Sequence, residues 1–194
     1  MRDSLSDTGN LASLPQFGFL NSLPFDRGFS NGPRAVEVLA NKLGLLVNPS
    51  LHLVGPPVGT SFAVSGARAG GTSPIDLPAQ IGTFLLKNEG TAPSDALYVM
   101  FIGGNDVGDA RDEPNEHLAK GIIRDAVKAI DSSVHSLVAL GAKSIIVVNV
   151  PDIGATPESQ QSSDEGLSER ATELTKQFNK ELSGRMRRIE RDLN

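Results

Sequence analysis

The sequence contains no cysteine and no tryptophan, and only three of its 194 residues are histidine. Without cysteine, disulfides, thiolate metal ligands and a cysteine nucleophile are all excluded. No apolar run approaches the roughly 18 residues that a helix needs to cross a bilayer, so stable membrane insertion is not predicted. Met1 and Arg2 lead directly into polar residues, which is unlike a secretory signal.

An excess of basic residues is also missing. Lys and Arg total 18 against 23 Asp and Glu, a net charge of −5, which argues against a nucleic-acid partner. No group of His, Asp and Glu has the spacing of metal ligands, so neither a metal nor another cofactor is predicted. Hydrophobic residues make up 39% of the chain and charged residues 21%, as in ordinary globular proteins. A length of 194 residues suits one α/β domain.

Helical spacing of apolar residues predicts four helices. They lie between Pro33 and Gly44, around 77–85, from Leu118 to Gly141, and from Leu167 to Leu193.

A continuous apolar run at 96–102 predicts a parallel strand buried on both faces, and 144–150 predicts a second buried strand that ends before Pro151. A further short strand is predicted at 61–64. Alternation of strands and helices then predicts a parallel, three-layer α/β sheet. Because ligands of such sheets bind beyond the carboxyl ends of the strands, the loops at 65–66, 103–106 and 149–154 should meet at one edge.

Four short segments combine residue types that chemistry at such an edge would need. They are Asp3-Ser4-Leu5-Ser6-Asp7-Thr8-Gly9-Asn10, Ser65-Gly66-Ala67-Arg68, Gly103-Gly104-Asn105-Asp106 and Asn149-Val150-Pro151-Asp152-Ile153-Gly154. In this order they resemble the GDSL (SGNH) family of serine ester hydrolases. The resemblance runs from Asp3 to about Leu193, and it implies the flavodoxin-like sheet of the SGNH hydrolases.

The resemblance also implies a role for three residues. Ser4 would be the nucleophile, next to the N-terminus of a first helix, while the Gly66 backbone N–H and the Asn105 side-chain amide would bind the oxyanion. Each residue has a plainer interpretation. Ser4-x-x-Asp7 is a capping box, Gly66 suits a turn, and Asn105 suits the end of a strand.

The implied function is hydrolysis of a small-molecule or lipid acyl ester through a serine acyl-enzyme, without a cofactor. The family's first strand and its catalytic Asp-x-x-His have no counterpart within residues 1–194. We therefore expect a single incomplete domain over 1–194, lacking the first and last strands, with the catalytic base outside this chain. Of the three histidines, His52, His117 and His135, none has an aspartate three residues before it; His117 is the one candidate for a substitute base.

Two other functions are compatible with the same pattern. The chain is either an enzyme or a non-catalytic binding module that kept the scaffold and lost its base. A phosphate- or nucleotide-binding flavodoxin-like domain would use 65–71 as a phosphate cradle, although the glycine spacing there matches no phosphate loop.

Overall fold

The computed structural model describes residues 3–193. Met1 and Arg2, on which the expectation about a secretory signal depends, lie outside these residues. The helices are α1 (Ala35–Lys42), α2 (Leu77–Lys87), α3 (Gly104–Asp112), α4 (Glu116–Ala139), α5 (Pro157–Gln160) and α6 (Leu167–Leu193), with 3₁₀ turns at Leu11–Ser13, Pro15–Asn21 and Ile153–Ala155. The strands are β1 (Leu97–Met100) and β2 (Ser144–Val147).

All four predicted helices are confirmed, and local signals set their ends. The Asn115 side chain caps α4 by accepting from the backbone N–H of His117 at 3.0 Å and of Leu118 at 3.2 Å. Gly141, with φ +118°, follows the end of that helix, as Gly44, with φ +68°, follows α1. α6 buries one apolar stripe at steps of three, four and seven residues, made of Ala171, Leu174, Phe178, Leu182 and Ile189.

The two strands form a parallel pair, which confirms the α/β class. Leu97 is opposite Ser144 and Met100 is opposite Val147, and the Val148 N–H extends the pairing by donating to the Met100 carbonyl at 2.8 Å. Residues of β1, α2, α3, α4 and α6 contribute to one large buried apolar cluster. The prediction that residues 1–194 form one incomplete domain stays a prediction.

Two details of the predicted strands are wrong. Neither strand is buried on both faces: Leu97 of β1 is 37% exposed, and Ile146 of β2 is 40% exposed because only the face with Ile145 and Val147 packs against the core. Residues 61–64 are extended but form no regular strand, and only Ser61 makes an isolated parallel bridge, to Pro49. Within the described chain, the backbone N–H groups of 62–64 find no acceptor, so no ladder forms there.

An apolar groove of about 410 Å³ runs between β1 and the extended segment at 59–62. Its walls include the Phe62 ring, the apolar face of α1 and residues 95–100. Among residues 3–193, no helix is both long enough and apolar enough to span a membrane.

Candidate active site

Ser4 lies in a tight turn at the beginning of the described chain. The Ser6 N–H donates to the Asp3 carbonyl at 3.1 Å, and the Leu5 N–H donates to Asp3 Oδ1 at 3.0 Å. Ser4 itself is half-buried. The expectation that a helix begins beside Ser4 is wrong, since residues 4–6 form a turn and the first helical residues are Leu11–Ser13. No capping box forms at Ser4 either, because the Asp7 carboxylate bonds to backbone further along the chain.

The Asp7 carboxylate joins the Ser4 turn to the Gly66 turn. Its oxygens accept from the backbone N–H groups of Gly9, Asn10 and Leu11 at 2.7–3.2 Å. Oδ2 also accepts from the Ser65 backbone N–H at 2.8 Å and from the Ser65 hydroxyl at 3.0 Å. Asp7 and Ser65 are both buried, so these hydrogen bonds hold the two loops at a fixed separation.

A buried amide, Asn10, repeats this connection a few residues later. Asn10 Nδ2 donates to the carbonyl oxygens of Ser61 and Ala63, both at 2.8 Å. Asn10 Oδ1 accepts from the Leu51 N–H at 2.8 Å and the Ser50 hydroxyl at 3.3 Å. The segment from Asp3 to Asn10 therefore crosses the end of the extended segment that leads into Gly66.

The Gly66 turn requires glycine for its backbone conformation. Gly66 has φ +85°, and the Ala67 N–H closes the turn on the Val64 carbonyl at 3.1 Å. A β-carbon on Gly66 would contact only Ile75 Cδ1, at 3.8 Å, so the requirement is conformational rather than steric. Gly66 is exposed, and its N–H donates to no other residue within 3–193.

Asn105 is attached to the same turn. Its Nδ2 donates to the Ala67 carbonyl at 2.7 Å, which uses one of the two amide hydrogens and fixes the orientation of the other. The loop also touches the Ser4 turn, since a β-carbon on Gly104 would lie 3.6 Å from Asp3 Oδ2. The structure thus brings the turns of Ser4, Gly66 and Asn105 into one connected cluster.

Asp106 reinforces the contact between the second and third loops. Its buried carboxylate accepts from the Ala69 and Gly70 N–H groups, both at 2.8 Å. Burial raises the pKa of Asp106, and these two backbone donors oppose part of the rise. On the other side, Gly103 has φ +121°, and a β-carbon there would lie 2.3 Å from the Phe178 ring of α6.

The fourth segment, 149–154, also reaches this cluster and is held by α6. The Val150 N–H and carbonyl both bond to the Asn179 side chain, at 2.9 and 2.8 Å. Ile153 Cδ1 would lie 3.7 Å from a β-carbon on Gly104, so the loop borders that of Asn105. Gly154 packs so closely on α6 that a β-carbon would lie 2.1 Å from Thr172 Oγ1.

Three polar residues of the cluster, Asp7, Asn10 and Asp106, were not assigned a role from the sequence. Each belongs to one of the four segments. The sequence therefore identified the segments, but not the side chains whose hydrogen bonds hold them together. One sequence signal could have indicated this role: each of these Asp or Asn residues lies in a short loop of small residues, and its side chain is too short to reach distant groups. Such a side chain usually bonds to nearby backbone.

His117 and His135 make no hydrogen bond to this cluster within the described residues, whereas His52 is connected to it through Ser50, whose hydroxyl donates to Asn10 Oδ1 at 3.3 Å. His117 and His135 are exposed on α4, and His135 Nδ1 lies 2.9 Å from the Asp131 carbonyl in its own helix. His52 is half-buried, with Nδ1 2.5 Å from Ser50 Oγ. Burial lowers the pKa of His52, and Asp7 opposes this decrease. The described part of the chain also contains no group of three or more His, Asp or Glu able to hold a metal ion.

The parallel sheet and the connected loops that follow its strands place the chain in the α/β class. Comparison with known proteins then gives the family. A family model for the GDSL-like lipase/acylhydrolases matches residues 3–193, and the chain belongs to this family. The resemblance inferred from the four segments is therefore confirmed.

Two curated relatives are similar to most of this chain. Lipase 1 of Photorhabdus luminescens is 33% identical over 162 residues, which cover 80% of this chain and 22% of the relative. The phosphatidylcholine-sterol acyltransferase of Aeromonas hydrophila is 32% identical over 164 residues, 81% of this chain and 45% of the relative. The chain thus spans less than half the length of either protein.

Proposed function

We propose that this chain carries the nucleophile and the oxyanion-binding groups of an ester hydrolase that acts through a serine acyl-enzyme. Ser4 Oγ attacks the acyl carbonyl carbon, and its proton passes to a base. The tetrahedral intermediate then expels the alcohol, which takes up that proton. Water attacks the acyl-Ser4 ester in turn, releasing the acid and restoring the hydroxyl.

The observation that carries the proposal is the hydrogen-bonded connection of three loops distant in sequence. Asp7 bonds to Ser65, and Asn105 bonds to Ala67. Since these bonds are buried or partly buried and short, Ser4, Gly66 and Asn105 have little freedom to move relative to one another. Catalysis by electrostatic stabilisation depends on such preorganised donors.

Two donors of these loops suit an oxyanion. Gly66 is exposed, and its N–H donates to no residue among 3–193. The second Asn105 amide hydrogen is oriented by the bond that the first makes to Ala67. A negatively charged oxygen that accepts both would be stabilised mainly in the transition state, where the charge develops.

The base is a histidine from outside residues 1–194. The positions of His117 and His135 on the exposed surface of α4 favour this over a base from the described chain. His117 is ill suited as a substitute base. It lies in the first turn of α4, which follows the C-terminal end of α3, whereas Asn105 lies at the N-terminal end of α3.

Lipid acyl esters are the substrate class that best agrees with the relatives, one named a lipase and the other a phosphatidylcholine-sterol acyltransferase. The sheet of the functional unit extends beyond β1 and β2 into the three-layer, flavodoxin-like arrangement. The apolar groove beside β1 supports this, because Phe62 lines its opposite wall and the backbone N–H groups of buried residues 62–64 are unpaired in the described chain.

A fluorophosphonate probe tests the proposal, because it forms a covalent bond only with an activated serine. With imidazole added as an external base, we expect labelling of Ser4, mapped by peptide mass spectrometry, and its loss in Ser4→Ala but not in the neighbouring Ser13→Ala. Asn105→Ala should reduce the labelling rate by about 10²–10³, the usual cost of one oxyanion donor. Labelling of another serine would contradict the proposal.

A non-catalytic binding module is the second candidate, favoured by the exposure of His117 and His135 on α4. The same experiment distinguishes the two functions. A folded protein whose Ser4 stays unlabelled, with or without added imidazole as an external base, would favour the binding module.

A further inference from the structure

The segment that follows the Ser4 turn exposes a cluster of large apolar side chains. Four of the eight phenylalanines of the chain fall within residues 17–29. We define the aromatic patch as Phe17, Phe19, Leu23, Phe25 and Phe29. Leu23 is 94% exposed, Phe19 52% and Phe29 53%. Soluble proteins seldom leave contiguous apolar groups of this kind uncovered without a function.

The rings of the patch contact one another in a continuous row. The centroids of Phe17 and Phe19 are 6.4 Å apart, those of Phe19 and Phe25 5.8 Å, and those of Phe25 and Phe29 6.1 Å. The last two pairs meet edge to face, which is a favourable arrangement of aromatic rings. The row is therefore one surface rather than four separate side chains.

The patch is displayed on a supported loop. The Arg34 guanidinium donates to the Asp26 carbonyl at 2.9 Å through Nη1, and Asn21 Nδ2 donates to the Ala12 carbonyl at 3.0 Å. Leu20, between the exposed residues, is fully buried. The loop that exposes Phe19, Leu23 and Phe29 is thus anchored by hydrogen bonds and by a buried leucine.

The aromatic patch adjoins the proposed active site. A β-carbon on Gly28 would lie 2.8 Å from the Asp7 carbonyl oxygen, so the patch loop packs on the loop of Ser4. Phe17 and Phe25 also pack on a small buried cluster that includes Val64 and is contacted by Ile75. Ile75 in turn lies beside Gly66.

Charge identifies the kind of surface that the patch fits. Between Leu11 and Pro33 the only charged residues are Asp26 and Arg27, which pair with each other at 3.2 Å. The segment therefore has no net charge, and the whole chain carries −5. An anionic surface would be repelled, whereas a zwitterionic or neutral one would not.

We propose that the aromatic patch docks on zwitterionic lipid surfaces and so brings acyl esters within reach of Ser4. The role of docking in catalysis rests on the proposed function, but the docking itself does not. Rings and a leucine that project from turns enter a fluid acyl layer without needing a complementary partner, and apolar burial together with aromatic side chains holds proteins at such interfaces.

Binding to phosphatidylcholine vesicles, measured by co-sedimentation, tests the docking. The triple variant Phe19→Ser, Leu23→Ser and Phe29→Ser should weaken partitioning by about tenfold or more, given the apolar area removed. The matched control is Val58→Ser with Leu86→Ser, which removes side chains 69% and 84% exposed elsewhere. The control should bind as the unaltered chain does; equal losses in both variants would overturn the proposal.

A single-tryptophan variant gives a second readout that does not depend on activity. The chain has no tryptophan, so Phe19→Trp introduces the only one. Its emission should shift to the blue on adding vesicles and be quenched by brominated acyl chains. Leu86→Trp, as the control, should show neither change. An unchanged Phe19→Trp spectrum in the presence of saturating vesicles would contradict lipid docking.

Three further outcomes separate the alternatives. A concentration-dependent dimer in sedimentation velocity that the triple variant abolishes, together with absent vesicle binding, would assign the patch to a second copy of this chain. Labelling of Ser4 in a chain that binds no vesicles would overturn docking and leave the proposed function standing. Vesicle binding through the patch without Ser4 labelling would support docking and contradict the proposed function.

Discussion

At the scale of single residues, Asp7 decides how the Ser4 turn and the Gly66 turn fit together. Its two oxygens accept five hydrogen bonds, three within its own loop and two from Ser65. A carboxylate can accept this many because both oxygens have free lone pairs and neither carries a hydrogen. No neutral side chain of the same size can do so.

Asp7→Asn is therefore expected to lower the free energy of unfolding by at least about 2 kcal/mol, since the amide replaces one acceptor with a donor facing buried donors. Urea denaturation followed by circular dichroism would measure the loss. Ser65→Ala is the matched control, because it removes only the hydroxyl contact and should cost about 1 kcal/mol. Equal losses in the two variants would contradict the central position of Asp7.

Ser4, Gly66 and Asn105 could be singled out from the sequence because their segments occur in a recognisable order. The roles of Asp7 and Asp106 could not. Sequence shows that a carboxylate is present in a loop, but which N–H groups it faces depends on how loops about 30 to 60 residues apart are packed. Ser65 and Ala69 supply those groups, and nothing in their side chains indicates it.

At the scale of secondary structure elements, glycine lets the loops approach α6. Gly154 borders Ser168 and Thr172 so closely that a β-carbon would lie 2.2 Å from the Ser168 carbonyl. Gly184, within α6, has no neighbour within 4 Å of its β-carbon position. The same substitution should thus have opposite effects at the two sites.

Gly154→Ala should destabilise the protein by about 1–3 kcal/mol, because the loop and α6 must separate to admit a methyl group. Gly184→Ala should stabilise it by about 0.5–1 kcal/mol, because alanine favours a helix interior. Thermal unfolding of both variants would measure the difference. A stabilising Gly154→Ala would show that the contact between the 149–154 loop and α6 is looser than described.

The helices were predicted more completely than the strands, for a physical reason. Helical bonds join residues four apart, so the pattern that forms α4 or α6 is contained within the segment. A strand is defined by its neighbour. The segment 144–150 gave the location of β2, but not that Ile146 would be 40% exposed, and within residues 3–193 the backbone N–H groups of 62–64 find no strand partner.

At the scale of the whole molecule, the apolar groove separates β1 from the extended segment at 59–62. Phe62 lines one wall of the groove. Phe62, Ala63 and Val64 are at most 2% exposed, although their backbone N–H groups are unpaired within residues 3–193. Buried, unpaired backbone groups are costly. The Ser4 loop lies at one end of this groove, since Asn10 bonds to Ser61 and Ala63.

An apolar extension of six β-branched residues placed before Met1 should therefore occupy the groove and raise the free energy of unfolding by at least about 2 kcal/mol. A glycine-serine extension of the same length should leave stability unchanged. Hydrogen exchange of the Phe62, Ala63 and Val64 amides should slow only with the apolar extension. Unaltered exchange in both proteins would show that no strand pairs at this wall.

The four side chains that connect the loops of the proposed site bond almost entirely to backbone atoms of the segment 61–70. Asp7, Asn10, Asn105 and Asp106 bond to backbone N–H or carbonyl groups of residues 61, 63, 65, 67, 69 and 70. Side chains along 61–70 can therefore change during evolution without loss of these hydrogen bonds. The four residues whose side chains make the bonds cannot change in this way, because each must supply its own acceptor or donor. We expect them to change most slowly among descendants of this chain.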